Sequence, residues 1–292
     1  MKKSYQSNLI LLFLITILTL YIVNSNIIIS AILKYTELFI TKLFPTSFLL
    51  FTFSSLLINF QLIEKMTTIT KKNSTTLYVI IMSMISGFPS GPKYTKELYQ
   101  KNYITKNTAN YLLYFTHFPN PLFILGPVST LINSQSQAAK ILLSIIISNF
   151  IIAIFFYKKA PSNPLPKNNE LPFSKALNTS ITSSIKTLTL IYGTSIFFYL
   201  IATIITNYIN FSPILYTIIN SIFDLTIGIF STSIIISHKL KTFLILIFLT
   251  FGSLSIHIQI KSILSDTLEY KHFLFGRILS TLITIIAFII IN

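Results

Sequence analysis

Long apolar runs with almost no charge follow one another through this 292-residue chain. Residues 9–31, 45–63, 138–157, 181–209, 214–236 and 273–291 are each long enough to cross a hydrocarbon layer of about 30 Å at about 1.5 Å of helical rise per residue. Inside lipid, backbone N–H and C=O groups have no water to bind, so the spanning element must satisfy them itself, which leaves the helix. The sequence predicts an all-α, polytopic helical membrane protein. Only 10% of residues are charged, against roughly 25% in a soluble domain, and no stretch reads as a separate soluble domain.

The charge balance sharpens this reading. Lys and Arg number 22 against 7 Asp and Glu, a net +15. In a soluble chain such an excess points to nucleic acid. Here the basic residues gather in short links between apolar runs, the pattern of cytoplasmic loops in a membrane protein, so no nucleic-acid partner is expected and the surrounding partner is membrane lipid. Cysteine is absent, which excludes a disulfide framework and a thiolate site.

In chain order, Met1-Lys2-Lys3 and the run 9–31 read as a first transmembrane helix, residues 1–33, with its N-terminus cytoplasmic, rather than a cleaved leader. Residues 34–44 alternate charged and apolar side chains and suit an interfacial turn. Pro45 then opens a helix reaching Ile63. A first half occupies 34–157. A Pro-rich cytoplasmic linker is expected at 158–175, and a second half at 176–292. In that half a span over 214–236 carries Asp224 in its interior, while His238, Lys239 and Lys241 mark an inside link.

Two apolar runs in the first half are interrupted. One breaks at Ser86-Gly87-Phe88-Pro89-Ser90-Gly91-Pro92, the other at His117-Phe118-Pro119-Asn120-Pro121. Proline removes a donor and clashes with the preceding turn, so neither run is one helix. The run 75–88 is too short to cross, and lysines flank it on both sides. A re-entrant half-helix that dips in and returns explains both facts. Broken backbone within lipid is tolerated only where protein or a wet cavity shelters it, so such breaks mark a solute site in a transporter-like chain. The second half has a comparable stretch, with Phe251-Gly252-Ser253-Leu254-Ser255 following an apolar run. The segments 86–101 and 251–266 therefore read as equivalent parts of two related halves.

These stretches, read in order, carry a family resemblance. Leu43-Phe44-Pro45, Ser86 to Lys93, Leu98-Tyr99, Ile104-Thr105, Asn120 to Gly126, Phe251 to Gln259 and Arg277 together resemble the YlbJ-like family of sporulation integral membrane proteins, within the nucleoside-recognition or gate-domain group. The family usually reads Gly-Tyr-Pro-x-Gly-Ala-Lys at the first break, where this chain has Phe88 and Pro92. The resemblance implies a multi-span protein of the bacterial inner membrane that serves spore envelope or cortex formation. It also implies kinship with the gate elements of nucleoside transporters.

A solute site is expected where the breaks meet, formed by Ser86, Gly87, Pro89, Ser90, Gly91, Lys93, Asn120, Asp224, Ser253, His257 and Gln259. Asp224 within a span costs about 2.5–3.5 kcal/mol to insert, so it must face water or a partner, for which His257, Lys186 and Arg277 are the candidates. His117 has no evident partner and reads as structural. The solute is small and polar, nucleoside-like or other, with a coupling ion; an oligomer and an inverted relation of the halves both remain open at this level. The four histidines lack metal-ligand spacing, no cofactor is expected, and no nucleophile elbow, P-loop or dinucleotide fingerprint points to an enzyme. The alternative is a non-transporting scaffold, or an assembly or signalling protein of the forespore envelope.

Overall fold

The structure, a computed structural model, describes residues 2–70, 74–156, 171–265 and 267–292. Most of the linker expected at 158–175 lies outside the described residues, as do Lys71, Lys72 and Asn73.

Helix α1 (Lys2–Val23) and helix α2 (Ser25–Leu38) meet at Asn24, and Ser7–Val23 stands at 94° to Ser25–Asn59. The single span expected over 9–31 is thus bent in two. The interfacial turn expected at 34–44 is not formed either. The chain stays helical through a π-helical stretch, Phe39–Leu43, into α3 (Phe44–Asn59). Pro45 supplies the reason. It has no N–H to give, and the wider turn, in which the Phe44 N–H reaches Phe39 O, absorbs that gap.

After α4 (Leu62–Thr70), helices α5 (Thr75–Ser86) and α6 (Ser90–Gln100) form a hairpin. The Tyr78 and Tyr94 rings lie 6.3 Å apart and Ser86 Oγ is 3.2 Å from Tyr94 Oη. Gly87 turns the chain with φ +75, a backbone region that only glycine enters without strain. Helix α7 (Lys106–Leu112) starts where Thr105 accepts the Thr108 N–H at 3.2 Å. Residues 113–120 are not helical. Helix α8 (Pro121–Phe123), a π-helical stretch holding Gly126-Pro127, and α9 (Ser129–Ile132) follow as one apolar segment. Helix α10 (Gln135–Phe156) completes the first half.

Helix α11 (Phe173–Tyr208) runs for 36 residues, starting within the last residues of the expected linker. The span expected over 214–236 is instead a second hairpin, α12 (Pro213–Phe223) and α13 (Leu225–Ser231), turned at Asp224. Thr217 Oγ1 donates to Ser231 O at 3.2 Å, and a Cβ on Gly228 would sit 2.3 Å from Ser221 Cα. A 3₁₀ turn, Thr232–Ile234, leads to α14 (His238–Phe251) and α15 (Leu254–Leu264). These two are interrupted at Gly252-Ser253 yet run on as one 27-residue span. Helix α16 (Tyr270–Ile291) ends the fold. Two expectations fall here. Segments 86–101 and 251–266 are not equivalent in chain course, because the first reverses and the second continues. His238, Lys239 and Lys241 lie at the opposite end of that span from Lys261, so the two links do not share a side.

Packing joins the halves. Helix α10 runs antiparallel to α16, with Lys140 beside Asn292 and Ser148 Oγ donating to Ser280 O at 3.0 Å. Asn59 at the end of α3 donates to Ser180 near the start of α11 at 3.1 Å. Lys96 on the first hairpin donates to Ile263 O at 2.6 Å, and Asn110 Oδ1 accepts the Glu269 N–H at 3.1 Å. The links 93–110 and 261–272 therefore occupy one end of the bundle. By length and composition, the described residues hold four helices able to cross a membrane, or five counting the bent N-terminal pair. The chain is an all-α, multi-pass membrane protein.

Two glycines set how closely these parts approach. A Cβ on Gly91 would lie 1.7 Å from Thr116 O, and one on Gly276 would lie 2.2 Å from Tyr114 O, whereas Gly193 has nothing within 4 Å. Gly91→Ala and Gly276→Ala are each expected to destabilise by about 1–3 kcal/mol through forced separation of backbones. Gly193→Ala is expected to be neutral or to stabilise by about 0.5–1 kcal/mol. Melting curves of the detergent-purified variants check all three.

Candidate functional site

After three of its interruptions the chain restarts the helix with a side-chain cap that it carries in sequence. Asn120 Oδ1 accepts the N–H of Leu122 at 2.9 Å and of Phe123 at 3.4 Å. Asp224 Oδ1 accepts the Ile227 N–H at 3.1 Å. Ser253 Oγ accepts the Ile256 N–H at 3.5 Å. Orphan donors at a helix start bind such side-chain oxygens. The caps thus explain why the chain breaks there and nowhere nearby.

All four interruptions border one cavity. Phe88 at the tip of the first hairpin, Asn120 at the restart of α8, Asp224 at the tip of the second hairpin and Ser255 just past the α14–α15 break line it together. Ser195 and Ile191 from the middle of α11 and Thr46 and Ser47 from α3 close its other side. The hairpins reach it from opposite ends of the bundle. The first opens toward the Asn59–Ser180 end of α11, and the second follows the other end of that helix.

The cavity's chemistry is polar on one side. Asp224 is buried, and its second oxygen accepts from Ser255 Oγ at 3.0 Å. Gln259 Nε2 donates to Ser195 Oγ at 3.2 Å. Asn120 Nδ2 is buried and has no hydrogen-bond partner among the described residues. Leu43, Phe88, Phe123, Leu188 and Ile256 supply the apolar walls. A carboxylate, two amides and hydroxyls facing aromatic and aliphatic surface suit a small solute with polar and apolar faces.

Of the residues expected to form a site, the structure brings Asn120, Asp224 and Gln259 together. Gly87 packs against the Asn120 backbone behind the cavity, and Gly91 against Thr116. Ser86 bonds to Ser54 and Tyr94 inside the hairpin, Ser90 bonds to Gly87 O, and Pro89 is buried at the turn. Lys93 Nζ is buried 5.6 Å from the centroid of the Phe51 ring rather than facing the cavity. Ser253 and His257 line a separate, mostly apolar groove with Phe248 and Phe251. Sequence reasoning missed Phe88, Ser195, Thr226 and Ser255 as lining residues. No residue type in the sequence around Asp224 signals the second hairpin, which the close approach of Gly228 to Ser221 makes in the fold.

None of the cations expected to pair with Asp224 does so. His257 Nδ1 is 2.6 Å from Tyr270 Oη, its Nε2 is 3.2 Å from Phe251 O, and Lys186 is exposed. Arg277 is fully buried and donates to Tyr114 O (3.2 Å), His117 O (3.3 Å), Thr250 O (3.5 Å) and Asn149 Oδ1 (3.2 Å). It binds the carbonyls freed by the broken segments, where the backbone dipoles favour a cation. Arg277→Met leaves these acceptors bare and is expected to destabilise by about 3 kcal/mol or more. Leu282→Ala, 57% exposed on the same helix, is expected to stay within about 0.5 kcal/mol. Thermal unfolding in one detergent, with Arg277→Lys expected between the two, checks this.

No protein-family model matches the chain, and no solved structure matches it. The sporulation integral membrane protein YlbJ of Bacillus subtilis (strain 168) is 24% identical over 248 residues, covering 69% of this chain and 60% of the relative. The chain thus spans about 60% of the length of that curated relative. On that alignment the chain is similar to a sporulation integral membrane protein of the YlbJ type.

Proposed function

We propose that the chain is a transporter-like protein that binds a small polar solute in the Asp224 cavity and moves it across the bacterial inner membrane during spore formation. One observation carries the reading. Four interruptions of helical backbone, two of them hairpin tips arriving from opposite ends, border the same cavity and line it with an Asp224 carboxylate that has no cationic partner among the described residues. Opposed broken segments around a shared central site are what alternating access requires. The solute is neutral or cationic, because Asp224 offers acceptors and Asn120 a free donor, and it has a flat or apolar part for Phe88 and Phe123. A nucleoside-like molecule with a coupling ion fits that description. The lysine-bearing links that share one end of the bundle support a cytoplasmic side for that end. The reading includes no catalytic step and no cofactor, and treats 34–157 and 176–292 as the two halves that enclose the site.

The test is uptake into proteoliposomes of a panel of nucleosides, nucleobases, dipeptides and monovalent cations, run beside spore yield. Asp224→Ala and Asn120→Ala are expected to lower uptake of the active solute by about tenfold to a hundredfold, the loss of one or two buried hydrogen bonds to it, with the folded fraction unchanged. No flux of any panel member, together with normal spore yield from both variants, would instead support a non-transporting scaffold of the forespore envelope.

A further inference from the structure

The Asp224 end of the cavity is built from oxygen. Both carboxylate oxygens accept hydrogen bonds, from the Ile227 N–H at 3.1 Å and from Ser255 Oγ at 3.0 Å, as an ionised group does. No cation is paired with it among the described residues. Ser195, Thr226 and Ser255 line the cavity beside it, and all three are buried. A fourth hydroxyl reaches the same place from α2. The Tyr35 ring lies against Tyr192 and Tyr199 of α11, with centroids 6.1 and 5.6 Å away. Ser195 stands between those two on one helix face, at spacings of three and four residues. Tyr35 is fully buried, and Ser195, Thr226 and Asp224 lie around its hydroxyl. Tyr35 Oη nevertheless has no hydrogen-bond partner among the described residues. Protein interiors rarely leave such a group unmade without a reason.

We propose that this end of the cavity is a site for one monovalent cation, held by Asp224 with the hydroxyl oxygens of Ser195, Thr226, Ser255 and Tyr35. Hard cations take oxygen ligands, carboxylate and neutral oxygen together. Each hydroxyl turns its hydrogen aside and keeps a lone pair for the ion. Charge fixes the valence. One buried carboxylate cancels one positive charge, whereas a divalent ion would leave a net charge in the interior, where it is costly. The solute keeps Asn120 Nδ2 and the apolar wall of Phe88 and Phe123. With Asp224 taken by the ion, that solute is a neutral one. The ion also ties the tip of the second hairpin to α11, α15 and α2, so its arrival and departure bear on how the hairpin sits. The site rests on reading the cavity as a solute path. Its test uses ions alone, so its failure and a failure of uptake are separate results.

The measurement is the melting temperature of the detergent-purified full chain in choline chloride, with sodium, potassium or calcium chloride added at constant ionic strength. Sodium or potassium is expected to raise it saturably by about 5 °C, as a ligand at about a hundred times its dissociation constant does for a chain of this size. Asp224→Asn keeps a capping side chain but removes the charge, and is expected to abolish the shift. Tyr35→Phe and Ser255→Ala are each expected to raise the half-saturating concentration by about tenfold, through loss of one oxygen ligand. Lys186→Gln, at an exposed position, is expected to change nothing. No saturable shift with either monovalent ion, a shift with calcium alone, or a full shift in Asp224→Asn overturns the site. Should Asp224→Asn fail to fold, an unchanged half-saturating concentration in both Tyr35→Phe and Ser255→Ala overturns it by itself. Uptake without an ion-specific shift sinks the ion site and spares the solute reading; a shift without uptake does the opposite.

Discussion

A buried guanidinium with no carboxylate beside it holds this fold together. Helices broken inside an apolar body release carbonyl oxygens that lipid cannot satisfy. Arg277 collects three of them, from Tyr114, His117 and Thr250, and adds the side-chain oxygen of Asn149. Its charge is balanced by backbone dipoles at helix ends rather than by an anion. The arrangement binds the broken stretch 113–120 to α14, α10 and α16 at one point. Arg277 is held by these oxygens and does not pair with Asp224.

The opposite problem, freed N–H donors, is solved locally by Asn120, Asp224 and Ser253. These side chains do two jobs. Each stops the backbone from demanding partners elsewhere, and Asn120 and Asp224 leave a second polar atom over for the cavity. Asp224 spends one oxygen on the cap and turns the other to Ser255. Asn120 spends its oxygen and keeps its Nδ2 free. A cap that is also a lining residue ties the conformation of the break to whatever occupies the space, which is how binding would bias two arrangements of a hairpin.

Much of the fold was legible because proline and glycine announce themselves. The interruptions at 86–92 and 117–121 were readable from residue types that cannot continue a helix. The hairpin at Asp224 was not, since Asn-Ser-Ile-Phe-Asp-Leu-Thr contains no such residue and the run is as apolar as a span. There the turn is made by a side-chain cap and by the close approach of Gly228 to Ser221, a tertiary fact. Asn24 and the π turn before Pro45 escaped for a similar reason: each is an accommodation between neighbouring turns, not a composition. The expectation of an inside link at His238 to Lys241 rested on the same stretch, where a hairpin was taken for a span.

The candidate site shows the same division. Asn120, Asp224 and Gln259 stood out as polar residues inside apolar runs, and they converge. Lys93 and His257 stood out equally, yet Lys93 is buried over Phe51 and His257 is held by Tyr270. Polarity in an apolar run says that a partner exists, not which one. Phe88 fell below notice for the inverse reason. An aromatic among aromatics carries no signal in sequence, and only the fold sets it on the wall of the cavity.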